Sequence, residues 1–155
     1  MAATAPHTVL VSTNGAERPI LNDRVATAST VPGCIVEVAS TGKLTKISSA
    51  AKQNNRIFVV ENPYATDHTA SALSQAYAAD DAVFYVYAQP GDVVYALLAA
   101  SQTISIGSPL VTTTTAGALG TATIDATVVT GALVGFAEEA VTTTGSTGYV
   151  KVRIA

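Results

Sequence analysis

The chain is patterned as short apolar or alternating runs cut by Gly, Pro or Thr/Ser clusters. Cys34-Ile35-Val36-Glu37-Val38 is followed by Ser40-Thr41-Gly42-Lys43 and then by the alternating run Leu44-Thr45-Lys46-Ile47. Strand, Gly-containing turn and strand in that order predict a hairpin. Arg56-Ile57-Phe58-Val59-Val60-Glu61 is an apolar run ended by Asn62-Pro63, and it reads as a strand buried on both faces. Ala82 to Tyr87 is a further strand and the most aromatic part of the chain. Pro90-Gly91-Asp92-Val93-Val94 echoes Pro32-Gly33-Cys34-Ile35-Val36, each a Pro-Gly turn that feeds an apolar strand. One such recurrence does not define a repeat. Tyr95 to Ala100 fits either a strand or a short helix, because periodicity does not separate the two at this length.

From Ile104 to Ile154 the same punctuation continues, and it ends in Tyr149-Val150-Lys151-Val152-Arg153-Ile154. In that last run Val150, Val152 and Ile154 share one face, and Lys151 and Arg153 share the other. Many short strands at regular turn spacing predict an all-β fold, a small barrel or sandwich. Between Ala65 and Asp80, Ala70, Leu73, Ala76 and Tyr77 fall on one helical face with Thr69 placed to cap it. That stretch reads as a loop with at most a short helix near 69–79. Residues 1–30 hold too few large apolar side chains for a core of their own. They read as an N-terminal arm that packs on its own body, a neighbouring subunit or a larger partner. The competing reading is a frayed terminus with one edge strand near Thr8 to Ser12. The β-rich body is then residues 31–155.

Composition narrows what such a fold is for. Charged residues make up 12% and the hydrophobic class 48%, which excludes charge-driven disorder. A surface this low in charge favours association over a lone monomer. The net charge of -3, with Lys and Arg scattered, gives no basic stripe for nucleic acid. The longest nearly apolar run, Val93 to Ala100, is far too short for a helical membrane span. Met1-Ala2-Ala3-Thr4-Ala5-Pro6-His7 has neither the basic nor the apolar region of a signal peptide, so a soluble chain made in a cytoplasm is expected.

Candidate chemistry is sparse. His7 and His68 lack partners at metal-ligand spacing. Asp67 beside His68 resembles half of a proton relay, but no Ser or Cys completes it. A trimeric β-barrel hydrolase would need convergent carboxylates, and Asp80-Asp81 and Glu138-Glu139 are adjacent pairs whose members face opposite ways on a strand. Asp80, Asp81 and Asp92 lack the regular spacing of a calcium loop. The single cysteine, Cys34, opens an apolar strand and reads as a small buried hydrophobe. Gly131 and Gly135 are not followed by the Lys-Ser/Thr of a phosphate loop. Neither enzyme activity, nor a cofactor, nor a metal is expected. Tyr85, Tyr87 and Tyr95 sit in strand-like runs. They read as core or subunit-contact residues, or as a glycan-binding patch of a fibre-tip or adhesin-like domain.

Four runs in order carry a family resemblance: Gly107-Ser108-Pro109-Leu110, Ala116-Gly117-Ala118-Leu119, Val134-Gly135-Phe136-Ala137-Glu138-Glu139-Ala140, and Tyr149 to Ile154. Their order resembles the C-terminal pattern of the capsid decoration, or cement, proteins of tailed bacteriophages. The Pro32-Gly33 and Pro90-Gly91 units look like that family's turn-strand units, so the likeness covers about residues 31–155. The resemblance implies a small β-tulip-like body without enzyme activity or cofactor. It implies a place on the outer surface of the virion capsid, where the protein clamps neighbouring copies of the major capsid protein and stabilises the mature head. Self-association as a homotrimer, or in some members a dimer, is implied as well. The family's N-terminal segment often orders on the capsid. On that basis Val9, Leu10, Val11, Arg18, Ile20 and Arg24 are the expected capsid-contact residues, with strand addition to a capsid sheet edge as the mode.

Overall fold

A computed structural model describes residues 8–65, 71–122 and 132–155. Among these residues it is all-β, with thirteen strands and one 3-10 turn at Ala72–Ser74. The predicted hairpin is present: β3 (Ile35–Val38) pairs antiparallel with β4 (Leu44–Lys46), and Val38 stands opposite Leu44. β5 (Ile57–Val59) is buried at all three positions, as its unbroken apolar run requires. The run left open between strand and helix is a strand, β7 (Val93–Leu98). In the long loop, Leu73 and Tyr77 are buried while Ala76 is exposed, and Ser71 rather than Thr69 caps the 3-10 turn. Thr69 and Ala70 lie outside the described residues.

The strands make two rings of the same topology. In the first, β2 (Leu21–Val25), β6 (Ala82–Tyr87), β5, β3 and β4 are neighbours in that order. A parallel bridge between Ala26 and Leu44, with the Thr27 N–H donating to the Leu44 carbonyl at 2.9 Å, closes it. In the second, the order is β7, β13 (Gly148–Ile154), β11 (Leu133–Ala137), β9 (Pro109–Thr112) and β10 (Leu119–Thr121). A parallel contact between Leu98 and Leu119 closes this one, and the Ala99 N–H donates to the Leu119 carbonyl at 2.9 Å. Taken in chain order, β2, β3, β4, β5 and β6 correspond to β7, β9, β10, β11 and β13. Every antiparallel pairing and the single parallel closure is reproduced.

The correspondence extends to single bonds. The turn Val31–Cys34 carries Gly33 at φ 83°, and the turn Ser105–Ser108 carries Gly107 at φ 82°. The N–H groups of Gly33 and Gly107 donate to the carbonyls of Val59 and Ala137, both at 2.8 Å. The N–H groups of Val59 and Ala137 return the bond to Cys34 and Ser108 at 3.0 and 2.9 Å. Gly42 and Gly117, at φ 79° and 77°, close the two hairpins. The isolated bridge between Thr30 and Tyr77 has its counterpart in the short pair β8 (Thr103–Ile104) and β12 (Val141–Thr142). The chain is therefore a tandem duplication in structure. The counterpart of the Pro32-Gly33 turn is Ile106-Gly107, not the Pro90-Gly91 turn that echoes it in sequence.

Two cores follow. One lies inside the first ring, where Cys34, Val36, Leu44, Ile57, Val59, Val83 and Tyr85 meet Leu97, Ala99 and Ala118 of the second. The other joins Ile35, Phe58 and Val86, which alternate with those residues along the first ring, to Val94, Leu98, Leu110, Val134, Val150 and Val152 of the second. The rings are thus packed on each other through an apolar face.

The N-terminal segment, from Thr8 on, packs on its own body. β1 (Leu10–Ser12) adds antiparallel to β7, with Leu10 opposite Val94, and β2 is a strand of the first ring.

Candidate partner-binding surface

The expected contact residues fall into different environments. Val9 is fully buried: its carbonyl accepts from the Tyr95 N–H at 2.7 Å and its N–H meets the Glu61 carboxylate. It belongs to the core rather than to an outer surface. Leu10 is half-buried in β1, whereas Val11 is 39% and Ile20 54% exposed. Arg24 donates to the Gly42 carbonyl at 2.8 Å, and its Nε is buried with no hydrogen-bond partner among the described residues.

Arg18 is tied down. Its Nε and Nη2 donate to the two carboxylate oxygens of Asp92 at 2.7 and 3.1 Å. Asp92 is fully buried and also accepts from the N–H groups of Asn14 at 3.0 Å and Gln89 at 2.8 Å. Burial opposes its charged form, but these bonds and the Arg18 charge outweigh it and hold the carboxyl below its ordinary value. The strap around Arg18 has a hollow on either side. Tyr87, Gln89 and Pro90 face it across one, and Leu10, Thr13 and Ile20 border the other. One ion pair therefore pins a segment that crosses from the edge of the second ring to the edge of the first.

The other candidates from the sequence are placed as follows. His7, Asp67 and His68 lie outside the described residues. Asp80 pairs with Lys43 at 2.5 Å, and Asp81 accepts from the Ala78 N–H at 2.8 Å. Glu138 pairs with Arg153 at 2.8 Å, and Glu139 accepts from the Lys151 N–H at 2.8 Å. Among the described residues, no three His, Cys, Asp or Glu side chains are grouped to hold a metal ion. Cys34 is buried, and that burial pushes its thiol up to about 11, so it stays protonated and unreactive near neutral pH. Tyr85 is buried and donates to Asp23 at 2.6 Å; this bond is the main cause that holds the Asp23 carboxyl low. Tyr87 and Tyr95 are half-buried, with the Lys151 ammonium 5.5 Å from the Tyr95 ring centre.

What the described surface offers is strand edge and single apolar side chains. The outward edge of β7 is filled three times, by Val9 on the Tyr95 N–H, Gly33 on the Leu97 N–H and Leu119 on the Ala99 N–H. Its counterpart in the first ring, the outward edge of β2 from Leu21 to Val25, pairs with no described strand. Val38, Tyr64, Ile106 and Phe136 join Val11 and Ile20 as the large apolar side chains left exposed. Sequence reasoning missed Val38, Ile106 and Phe136, since each sits in a run that reads as strand or turn. Only the duplication sets them apart, because it puts each beside a buried counterpart. No helix among the described residues is long and apolar enough to cross a membrane. Neither a family model nor a curated protein matches the chain.

Proposed function

We propose that this chain is a structural binding protein of a tailed-bacteriophage virion. It docks on the outside of the head, bridges neighbouring major capsid subunits and stabilises the mature shell as a homotrimer. One observation carries the reading: the runs that resemble the decoration family are turn-strand units, and they fall in order on the Ser105–Ser108 turn, the Gly117 hairpin, β11 and β13. The surface is in keeping with it. An open strand edge and scattered apolar side chains suit docking by strand addition, where main-chain bonds supply the grip and side chains the register. Several such contacts made by one oligomer reinforce each other.

The N-terminal strap is the part assigned to the capsid, through the exposed Val11 and Ile20 beside the pinned Arg18. Val9 acts from within by seating β1. The test is a double variant, Val11→Asp with Ile20→Asp, mixed with purified heads that lack the protein. Both side chains are exposed, so the variant folds, and decoration seen by electron microscopy falls at least tenfold. Undiminished decoration removes the strap from the contact. Absence of the wild-type chain from heads sinks the reading as a whole.

A further inference from the structure

The contact between the two rings contains a template for a contact between chains. In the chain, the first ring presents its Pro32-Gly33 turn to the second. The Gly33 carbonyl accepts from the Leu97 N–H at 2.9 Å, and the Pro32 carbonyl accepts from the Tyr149 hydroxyl at 3.1 Å. A Cβ on Gly33 would lie 2.8 Å from the Tyr149 ring, so the fit is close. Phe58 on the first ring and Thr112 on the second are both fully buried.

Duplication gives each of these a counterpart that faces outward. Pro32 is buried and its counterpart Ile106 is 72% exposed. Phe58 is 0% and its counterpart Phe136 is 39% exposed. Thr112 is 0% and its counterpart Val38 is 38% exposed. Leu97, whose N–H is taken by Gly33, corresponds to Val25 on the open β2 edge. The large Tyr149 corresponds to the small, exposed Ala82, across from the larger Ile106. The second ring thus carries an unused copy of the face that the first ring offers, and the first ring carries an unused copy of the face that receives it.

We propose that the chain self-associates head to tail, the Ser105–Ser108 turn and Phe136 of one copy docking on the β2 edge, Val38 and Ala82 of the next. The Gly107 carbonyl takes the Val25 N–H, as Gly33 takes Leu97 within the chain. The face is narrower than the internal one. The counterparts of Val60 and Val86 are Glu138 and Arg153, which pair with each other and form a solvated rim. Such an interface uses different patches on the two partners, so it repeats until the rotation closes a ring. In the trimer proposed above, six rings of one topology then surround the axis. The assignment rests on the internal contact and not on the capsid reading, and its test involves no capsid.

The test is the mass of the free protein, by light scattering after size exclusion, for wild type, Ile106→Asp and Val38→Asp. Wild type runs as a multiple of the 15.7 kDa chain, and each variant alone runs as a single chain. Mixed in equal amounts, the two variants form a dimer and nothing larger, because Ile106→Asp keeps its receiving face and Val38→Asp keeps its turn. Unchanged circular dichroism of the variants separates loss of assembly from loss of fold. A wild-type chain that stays single across the micromolar range overturns the proposal. So do variants that still assemble, or a mixture that stays single.

Discussion

The two rings share every strand pairing, yet they are filled differently. Where the first ring places Ile57 inside, fully buried, the second has Gly135, whose added Cβ would lie 2.1 Å from the Arg153 carbonyl oxygen. Where the first turns Phe58, Val60 and Val86 onto its neighbour, the second turns Phe136, Glu138 and Arg153 to solvent. The backbone plan is thus set by the turns, by pairing period and by closure, and it tolerates wide change in side chains. What differs is the side that has a neighbour in the chain. In the first ring β5 is apolar and buried on both faces because it is covered on both, which is the pattern of a buried sheet. In the second, β13 alternates as a half-covered strand does.

Phe58→Ala against Phe136→Ala breaks that comparison most forcefully. The first removes a fully buried ring from the face between the two units and costs about 3–5 kcal/mol. The second acts at the matching exposed site and stays within about 0.5 kcal/mol. Urea unfolding of the two variants at a concentration where the chain is single checks this, and equal losses would show that the sites are not counterparts.

Arg18→Ala has the next largest effect. It strips a buried carboxylate of its charge partner and leaves only the Asn14 and Gln89 N–H groups. The expected cost is about 3 kcal/mol, the lower end for a broken buried pair. The pH dependence follows from the sign of the shift. Asp92 titrates lower in the folded than in the unfolded chain, so its contribution is full above the ordinary carboxylate value of 3.8. It is lost as pH falls through the folded value. Stability measured from pH 6 downward therefore declines below about 4 in wild type, and Arg18→Ala flattens the part due to Asp92.

The smallest effect separates two glycines at matching turns. Both sit at positive φ, where an alanine costs about 1–2 kcal/mol. At Gly42 the nearest atom to an added Cβ is the Arg24 guanidinium at 3.7 Å, so Gly42→Ala loses only that amount. At Gly117 the Cys34 sulfur stands 2.8 Å away and the site lies between the rings, so Gly117→Ala loses more. Thermal melting of the pair resolves the difference, and a larger loss at Gly42 would contradict the packing described.

Much of the strand content was legible, because it is local. The hairpin from Ile35 to Lys46, the unbroken run of β5 and the alternation of β13 each declare themselves within a few residues. The duplication was not legible. Its matches pair Pro32 with Ile106, Ile57 with Gly135 and Tyr85 with Val152, residues alike in backbone conformation and unlike in chemistry. The sequence echo at Pro90-Gly91 points to a different turn. From sequence Val9 reads as an outward contact, because Val9-Leu10-Val11 shows no core near it along the chain. Its core comes from β7, far along the chain. The exposure of Val38 and Ile106 depends on the same distant pairings.

The seating of β1 on β7 has a consequence for synthesis. Leu10 leaves the ribosome before its partner Val94, which follows only after the whole first ring has been made. At bacterial and eukaryotic elongation rates the interval is on the order of seconds, long compared with the microseconds in which a hairpin forms. Through that interval Val9 to Ser12 is an apolar strand without its edge, while β2, a few residues on, already closes the first ring.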